Sequence, residues 1–119
     1  MHELALAQSV VDAVARHANG RSVQRVKLEI GKLACVMPDA LLFCFDAVTA
    51  GTPLEGAALE IVEIEGQARC RTCGEIFVTQ TLWAICRCGS QDCERLSGSE
   101  LNIKEYELCT ALLPEGSAP

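Results

Sequence analysis

The sequence predicts an α+β fold in which a small sheet packs with two helices and a cysteine-rich knuckle is inserted between two of the strands. Three observations lead there. Stretches of helical period alternate with stretches of strand period through the first half of the chain. Five of the eight cysteines fall between residues 67 and 99, a segment of nearly balanced charge between two acidic flanks. A further strand-like run follows that segment, so the chain leaves a sheet, builds an insert and returns.

Residues 4–18 read as a helix, because Leu6, Val10, Ala13, Val14 and His17 recur at helical spacing and form one stripe. Asn19-Gly20 supplies its stop signal. His17, at the end of the stripe, is expected to be half-buried or to interact with the helix C-terminus. Residues 23–30 alternate, with Val26, Leu28 and Ile30 against Arg25, Lys27 and Glu29. That is a half-buried strand with a break at Gly31. A second helix begins near Pro38 and ends at Gly51, Pro suiting a first helical position and Gly the position past the end. Leu41, Cys44, Phe45 and Val48 form its apolar face. Residues 57–64 make another strand, in which Leu59, Ile61, Val62 and Ile64 alternate imperfectly. The last strand runs from Leu101 to Leu108, and the shift of its apolar phase between Ile103 and Tyr106 predicts a bulge. The tail at 110–119 ends in Pro, Gly, Ser and Ala and is expected to be loose.

Composition narrows the function classes. The net charge of −6 lacks the basic footprint that phosphate binding requires. Hydrophobic residues make up 50% of the 119 positions but aromatics only 4%, so the core is aliphatic and small, and small cores often need a staple. The first basic side chain is Arg16, and Glu3 and Asp12 interrupt the early apolar run, unlike a signal peptide. The longest apolar run, Ala40 to Phe45, is far short of the roughly 20 residues that span a bilayer. A cytoplasmic location is expected, and there clustered cysteines read as metal ligands before disulfides.

Cys70-Arg71-Thr72-Cys73-Gly74 is a C-x2-C-G knuckle, followed after twelve residues by Cys86-Arg87-Cys88-Gly89. Two thiolate pairs at this separation can close a tetrahedral zinc site with Zn–S bonds of about 2.3 Å. The insert is therefore zinc-ribbon-like. Gly74 and Gly89 permit the positive φ that turns backbone N–H groups towards the sulfurs. Phe77, Leu82, Trp83 and Ile85 are expected to cover the site. The second pair is C-x-C, a tighter turn than C-x2-C, and Cys93 can substitute for Cys86 or Cys88 as fourth ligand. Four thiolates fill the coordination sphere, which points to a structural rather than a catalytic metal. Iron also suits four sulfurs, but zinc is the expectation. Cys44 reads as a core residue, Cys35 as a small semi-buried loop residue and Cys109 as exposed.

The chain starts Met1-His2-Glu3. The Met1 α-amine, the His2 amide nitrogen and an imidazole nitrogen can form fused chelate rings, and planar nitrogen ligands suit Ni(II) or Cu(II). Glu3, or a carboxylate such as Asp39, can complete the site. Asp39 also has an ordinary place as an acid in the first turn of a helix, and a frayed terminus is the plain alternative for His2. The sequence holds no phosphate-binding G-x-x-x-x-G-K-[ST] loop, no G-x-S-x-G elbow and no H-E-x-x-H pair, so no catalytic constellation emerges.

Taken together the motifs resemble the HypA/HybF hydrogenase maturation factors. The resemblance runs through Met1-His2-Glu3-Leu4, Leu28-Glu29-Ile30-Gly31-Lys32-Leu33, Pro38-Asp39-Ala40-Leu41 and Gly51-Thr52-Pro53-Leu54-Glu55-Gly56-Ala57. It continues through the Cys70/Cys73 knuckle, Cys88-Gly89-Ser90 and Ser97-Gly98-Ser99-Glu100-Leu101. The family usually carries C-P-x-C-G in the second knuckle; here Ile85 stands at its first cysteine position and Cys86 follows one residue later.

The resemblance implies a nickel metallochaperone, not an enzyme. It implies a nickel-binding α+β domain at 1–66, completed by strand 100–109, and a zinc-binding domain at 67–99. Nickel cargo would be held by the Met1 amine and by the backbone and side chain of His2, with Glu3 beside them. A structural zinc would sit on Cys70, Cys73 and the second cysteine pair. The implied partners are the GTPase HypB and the large subunit of [NiFe]-hydrogenase, with urease maturation proteins in some organisms. The competing reading is a zinc-ribbon adaptor module in a protein assembly. It accounts for the cysteines but gives no reason for Met-His-Glu at the start.

Overall fold

The computed structural model describes residues 2–109. Met1 and the tail at 110–119 lie outside the described residues. In chain order the elements are α1 (Glu3–His17), β1 (Val23–Gly31), α2 (Pro38–Thr49), β2 (Ala58–Ile64), β3 (Gln67–Cys70), β4 (Ile76–Val78), β5 (Cys93–Ser97) and β6 (Leu101–Leu108). The fold is α+β, with two three-stranded sheets, β2-β1-β6 and β4-β3-β5.

Strand β1 is central in the first sheet. It runs parallel to β2 and antiparallel to β6. Helix α2 is the crossover that a parallel pair requires. Val26, Leu28 and Ile30 bury one face of β1 as the alternation predicts, against Val10, Val11 and Val14 of α1 and Leu41 and Phe45 of α2. On the other face Arg25 bridges Glu60 of β2 at 2.8 Å and Glu105 and Glu107 of β6 at 2.8 and 3.4 Å. The expected bulge is present. Between Lys27 and Leu28 the partner in β6 jumps from Glu105 to Ile103, which leaves Lys104 out of register.

Two expectations need correction. The buried stripe of α1 is Ala7, Val10, Val11 and Val14, followed by Ala18, while Leu6 and Ala13 are half-buried and His17 is exposed. Helix α2 packs beside α1, so the buried face of α1 is turned to meet both the sheet and a helix. His17 Nδ1 instead lies 2.8 Å from the Tyr106 hydroxyl. Helix α2 ends at Thr49, not Gly51. The Thr52 hydroxyl and N–H both donate to the Thr49 carbonyl, at 2.6 and 3.0 Å, and Ala50 leaves the helical region.

The two sheets join at a glycine contact. A Cβ on Gly31 would stand 1.9 Å from the Gly98 carbonyl oxygen, and one on Gly98 would stand 2.7 Å from the Gly66 Cα. The Leu33 N–H donates to the Gly98 carbonyl at 2.8 Å across this junction. Among the described residues no helix is long and apolar enough to cross a membrane.

Candidate metal centres

The insert is held by turns more than by a core. Cys70 closes β3, its N–H donating to the Glu75 carbonyl at 2.9 Å, and the Gly74 N–H returns to the Cys70 carbonyl at 2.8 Å. Gly74 takes φ +81°, which an L side chain rarely adopts. The second turn repeats the device. The Gly89 N–H donates to the Cys86 carbonyl at 2.8 Å, the Cys86 N–H to the Ser90 carbonyl at 2.9 Å, and Gly89 has φ +94°. The C-x-C pair thus closes its own turn despite the missing residue.

These turns bring together Cys70, Cys73, Cys86 and Cys88, whose sulfurs all lie within 4.8 Å of one another. Cys70 Sγ is 3.7 Å from Cys88 Sγ, and Cys73 Sγ is 3.5 Å from Cys86 Sγ. Four sulfurs on a tetrahedral ion with 2.3 Å bonds would be about 3.8 Å apart, so the donor set fits zinc. The Cys73 N–H donates to Cys70 Sγ at 3.4 Å and, with burial opposing, holds the Cys70 thiol down at about 6. Cys73 receives the Glu75 N–H, yet the crowding sulfur of Cys86 and burial push its thiol up to about 12. Cys88, which receives the Ser90 N–H, is likewise raised by Cys86. One thiolate forms readily and its neighbours resist. A divalent cation supplies the charge that would let all four ionise.

Cys93 does not belong to the four-sulfur group. It begins β5, is half-buried, and its thiol lies 3.8 Å from the Ser90 carbonyl. The expected apolar cover is also absent: Trp83 is 82% exposed and Ile85 60%, Leu82 is exposed, and only Phe77 is half-buried. A segment that folds by turns and sulfur contacts leaves its large side chains outside. Cys44 packs against the core from a half-buried position and Cys109 is exposed, as expected. Cys35 is exposed rather than semi-buried, at φ +61°.

At the other end, Met1 lies outside the described residues, while His2 is exposed and is the N-cap of α1, its carbonyl accepting the Leu6 N–H at 3.0 Å. Glu3 reaches across to α2. The Met37 N–H donates to Glu3 Oε2 at 3.0 Å and holds the carboxyl below its ordinary range. Met37 is the N-cap of α2 and has no side-chain cap of its own, so Glu3 serves the start of a neighbouring helix. Asp39 is exposed in the first turn of α2. The Glu3–Met37 tie has no signature in the sequence, because Met37 contributes only its backbone.

The family model described as hydrogenase/urease nickel incorporation, metallochaperone, HypA matches residues 1–108. The chain is 53% identical over 108 residues to the hydrogenase maturation factor HypA of Nostoc punctiforme, covering 91% of this chain and 96% of that protein. It is 44% identical to the HypA of Geobacter metallireducens, covering 91% and 99%. In fold it is similar to the solution structure of the nickel metallochaperone HypA from Helicobacter pylori, with a TM-score of 0.62 at 21% identity over 91% of this chain and 97% of that one. A second HypA solution structure gives 0.66 at 20% identity, covering 93% and 98%. The chain therefore belongs to the HypA family of metallochaperones for nickel incorporation.

Proposed function

We propose that this chain carries Ni(II) on its amino terminus and delivers it for [NiFe]-hydrogenase maturation, by transfer rather than turnover. The observation that carries this reading is a family match that starts at residue 1 and so includes Met1-His2-Glu3. Nickel is held by the Met1 amine and by the His2 amide and imidazole, with Glu3 next to them. The Glu3–Met37 bond supports this, because it anchors the residue after His2 while leaving His2 exposed. A small site at a chain end suits delivery, since few buried contacts must break on release. Protons compete with nickel for its nitrogen ligands, so nickel affinity falls as pH drops.

Zinc is assigned to Cys70, Cys73, Cys86 and Cys88, a reading supported by their sulfur separations. When bound, it serves as a structural cross-link. The partners are the GTPase HypB, the hydrogenase large subunit to which nickel is delivered and, where present, urease maturation proteins, and the setting is the cytoplasm. Residues 1–66 with strand 100–109 act as the nickel domain and residues 67–99 as the zinc domain.

One glycine added ahead of Met1 tests the terminal chelate. It moves the α-amine away from His2, so nickel binding should disappear while the zinc content stays unchanged. Unaltered nickel binding in the extended chain would contradict the site.

A further inference from the structure

We propose that Cys70 and Cys93 form a reversible disulfide that withdraws Cys70 from the four-sulfur group, which makes the knuckle a thiol-oxidation site. The bond itself follows from strand register; only its consequence for the metal rests on the zinc assignment above.

Cys70 and Cys93 are directly opposite each other in the antiparallel pair β3/β5. They form a non-hydrogen-bonded pair. The Cys70 N–H is turned to the Glu75 carbonyl on the far side, at 2.9 Å, and the Cys93 N–H to the Gln91 carbonyl, at 3.0 Å. Just past the strand ends, the Arg71 N–H donates to the Asp92 carbonyl at 2.9 Å, the bond that flanks a non-hydrogen-bonded pair. Residues facing each other in a non-hydrogen-bonded pair have Cα atoms about 4.5 Å apart and side chains on one face. Disulfides span Cα separations of about 4.4–6.8 Å, so the backbone already has the required spacing.

The two thiols differ in access. Cys70 is fully buried, whereas Cys93 lines a surface cavity of about 320 Å³ with Leu82, Trp83, Ala84, Ile85 and Gln91. Exposed Trp83 and Ile85 leave that cavity open to a small oxidant. Hydrogen peroxide is such an oxidant. The Cys93 sulfur attacks one peroxide oxygen, the O–O bond breaks, and a sulfenic acid forms as the first water leaves with the thiol proton. The Cys70 sulfur then attacks the Cys93 sulfur. The S–S bond forms, the S–O bond breaks, and the hydroxyl leaves as a second water, with the Cys70 proton in the metal-free chain or with a solvent proton where Cys70 is already a thiolate. The two sulfurs together lose two electrons, and peroxide becomes two waters. Cys73, Cys86 and Cys88 remain as an incomplete ligand set.

The test uses the full chain loaded with zinc, treated with one equivalent of hydrogen peroxide beside Cys93→Ser. Disulfides are mapped by peptide mass spectrometry and free zinc is read with a chromophoric chelator. The expected result is a mapped Cys70–Cys93 bond and zinc release, both reversed by dithiothreitol and zinc resupply, with release at least tenfold slower in Cys93→Ser. A bond from Cys70 to Cys73, Cys86 or Cys88, or release at the same rate in the variant, would overturn the proposal. Loss of zinc from untreated Cys93→Ser would also overturn it, by making Cys93 a ligand. A chain that never holds zinc would defeat the zinc assignment alone, and the mapped bond in that metal-free chain would still decide the disulfide.

Discussion

The Met37 backbone N–H donates to the Glu3 carboxylate at 3.0 Å, which ties the first turn of α1 to the start of α2. Glu3 thus holds the amino-terminal segment against the domain as well as standing next to His2. Glu3→Ala removes the acceptor, whereas Glu3→Gln keeps an oxygen that can take the same N–H. Loss of such supporting bonds weakens metal sites by about 10–100-fold. Nickel binding should fall at least tenfold in Glu3→Ala and by clearly less in Glu3→Gln, as read by isothermal titration. Equal losses in the two variants would assign Glu3 a role through its charge instead.

Phe45 is among the largest fully buried side chains and packs where α2 meets α1 and β1. Phe45→Ala should destabilise the chain by about 3–5 kcal/mol, since a large aromatic leaves a cavity its neighbours only partly fill. Urea unfolding followed by far-UV circular dichroism measures this.

The Gly31–Gly98 contact allows no side chain. A Cβ at Gly31 would meet backbone, not a movable side-chain end, at 1.9 Å. Gly31→Ala should cost about 3 kcal/mol or more, at or above the upper end for overpacking. The same unfolding experiment reads it, and a loss under 1 kcal/mol would mean that the junction between the sheets yields easily.

Arg25 sets a pH dependence. Its guanidinium holds the Glu105 carboxyl below the ordinary value of 4.5; Glu107 is lowered by the Gln24 amide and then by Arg25. A carboxyl with a depressed folded value contributes stability that is fully present above its unfolded value. That contribution is lost as pH falls through the folded value. The wild type should therefore lose stability on acidification below about pH 4.5, and Arg25→Met should lose less. Both carboxylates are about half-exposed, so screening keeps the effect modest and high salt should shrink it further. Urea midpoints across pH 3–7 (a window of about four units around the carboxylate range) provide the measurement.

Chelation should act locally. The insert buries few apolar side chains, Ala68, Cys70 and Cys86 among them, while the large core lies around β1. Removing zinc should abolish amide-exchange protection in β3, β4 and β5 and leave β1, β2 and β6 protected. Uniform loss across both sheets would mean that the metal stabilises the whole chain.

Much of this architecture is legible in sequence, for local reasons. The alternation of Val26, Leu28 and Ile30 reports β1 because one buried face imposes a period of two. Pro38 marks the start of α2, and the phase slip between Ile103 and Tyr106 marks the bulge at Lys104. The rest depends on tertiary partners. Strands β3, β4 and β5 have four, three and five residues, too few for a period to appear. The α1 face is displaced because α2 packs beside it, which the α1 sequence does not encode. At the metal centres, the C-x2-C-G and C-x-C-G spacings point to Cys70, Cys73, Cys86 and Cys88 but leave Cys93 as a substitute, and only the folded turns set Cys93 apart from the four. The facing of Cys70 and Cys93 and the Glu3–Met37 tie emerge only from register and packing.

Nickel titration of untagged, zinc-loaded protein beside His2→Ala, with total metal analysis of both, tests the amino-terminal chelate most directly. One nickel per chain is expected in the wild type, lost in His2→Ala while one zinc remains in each. Equal nickel binding by the two proteins, or none by either, would contradict it.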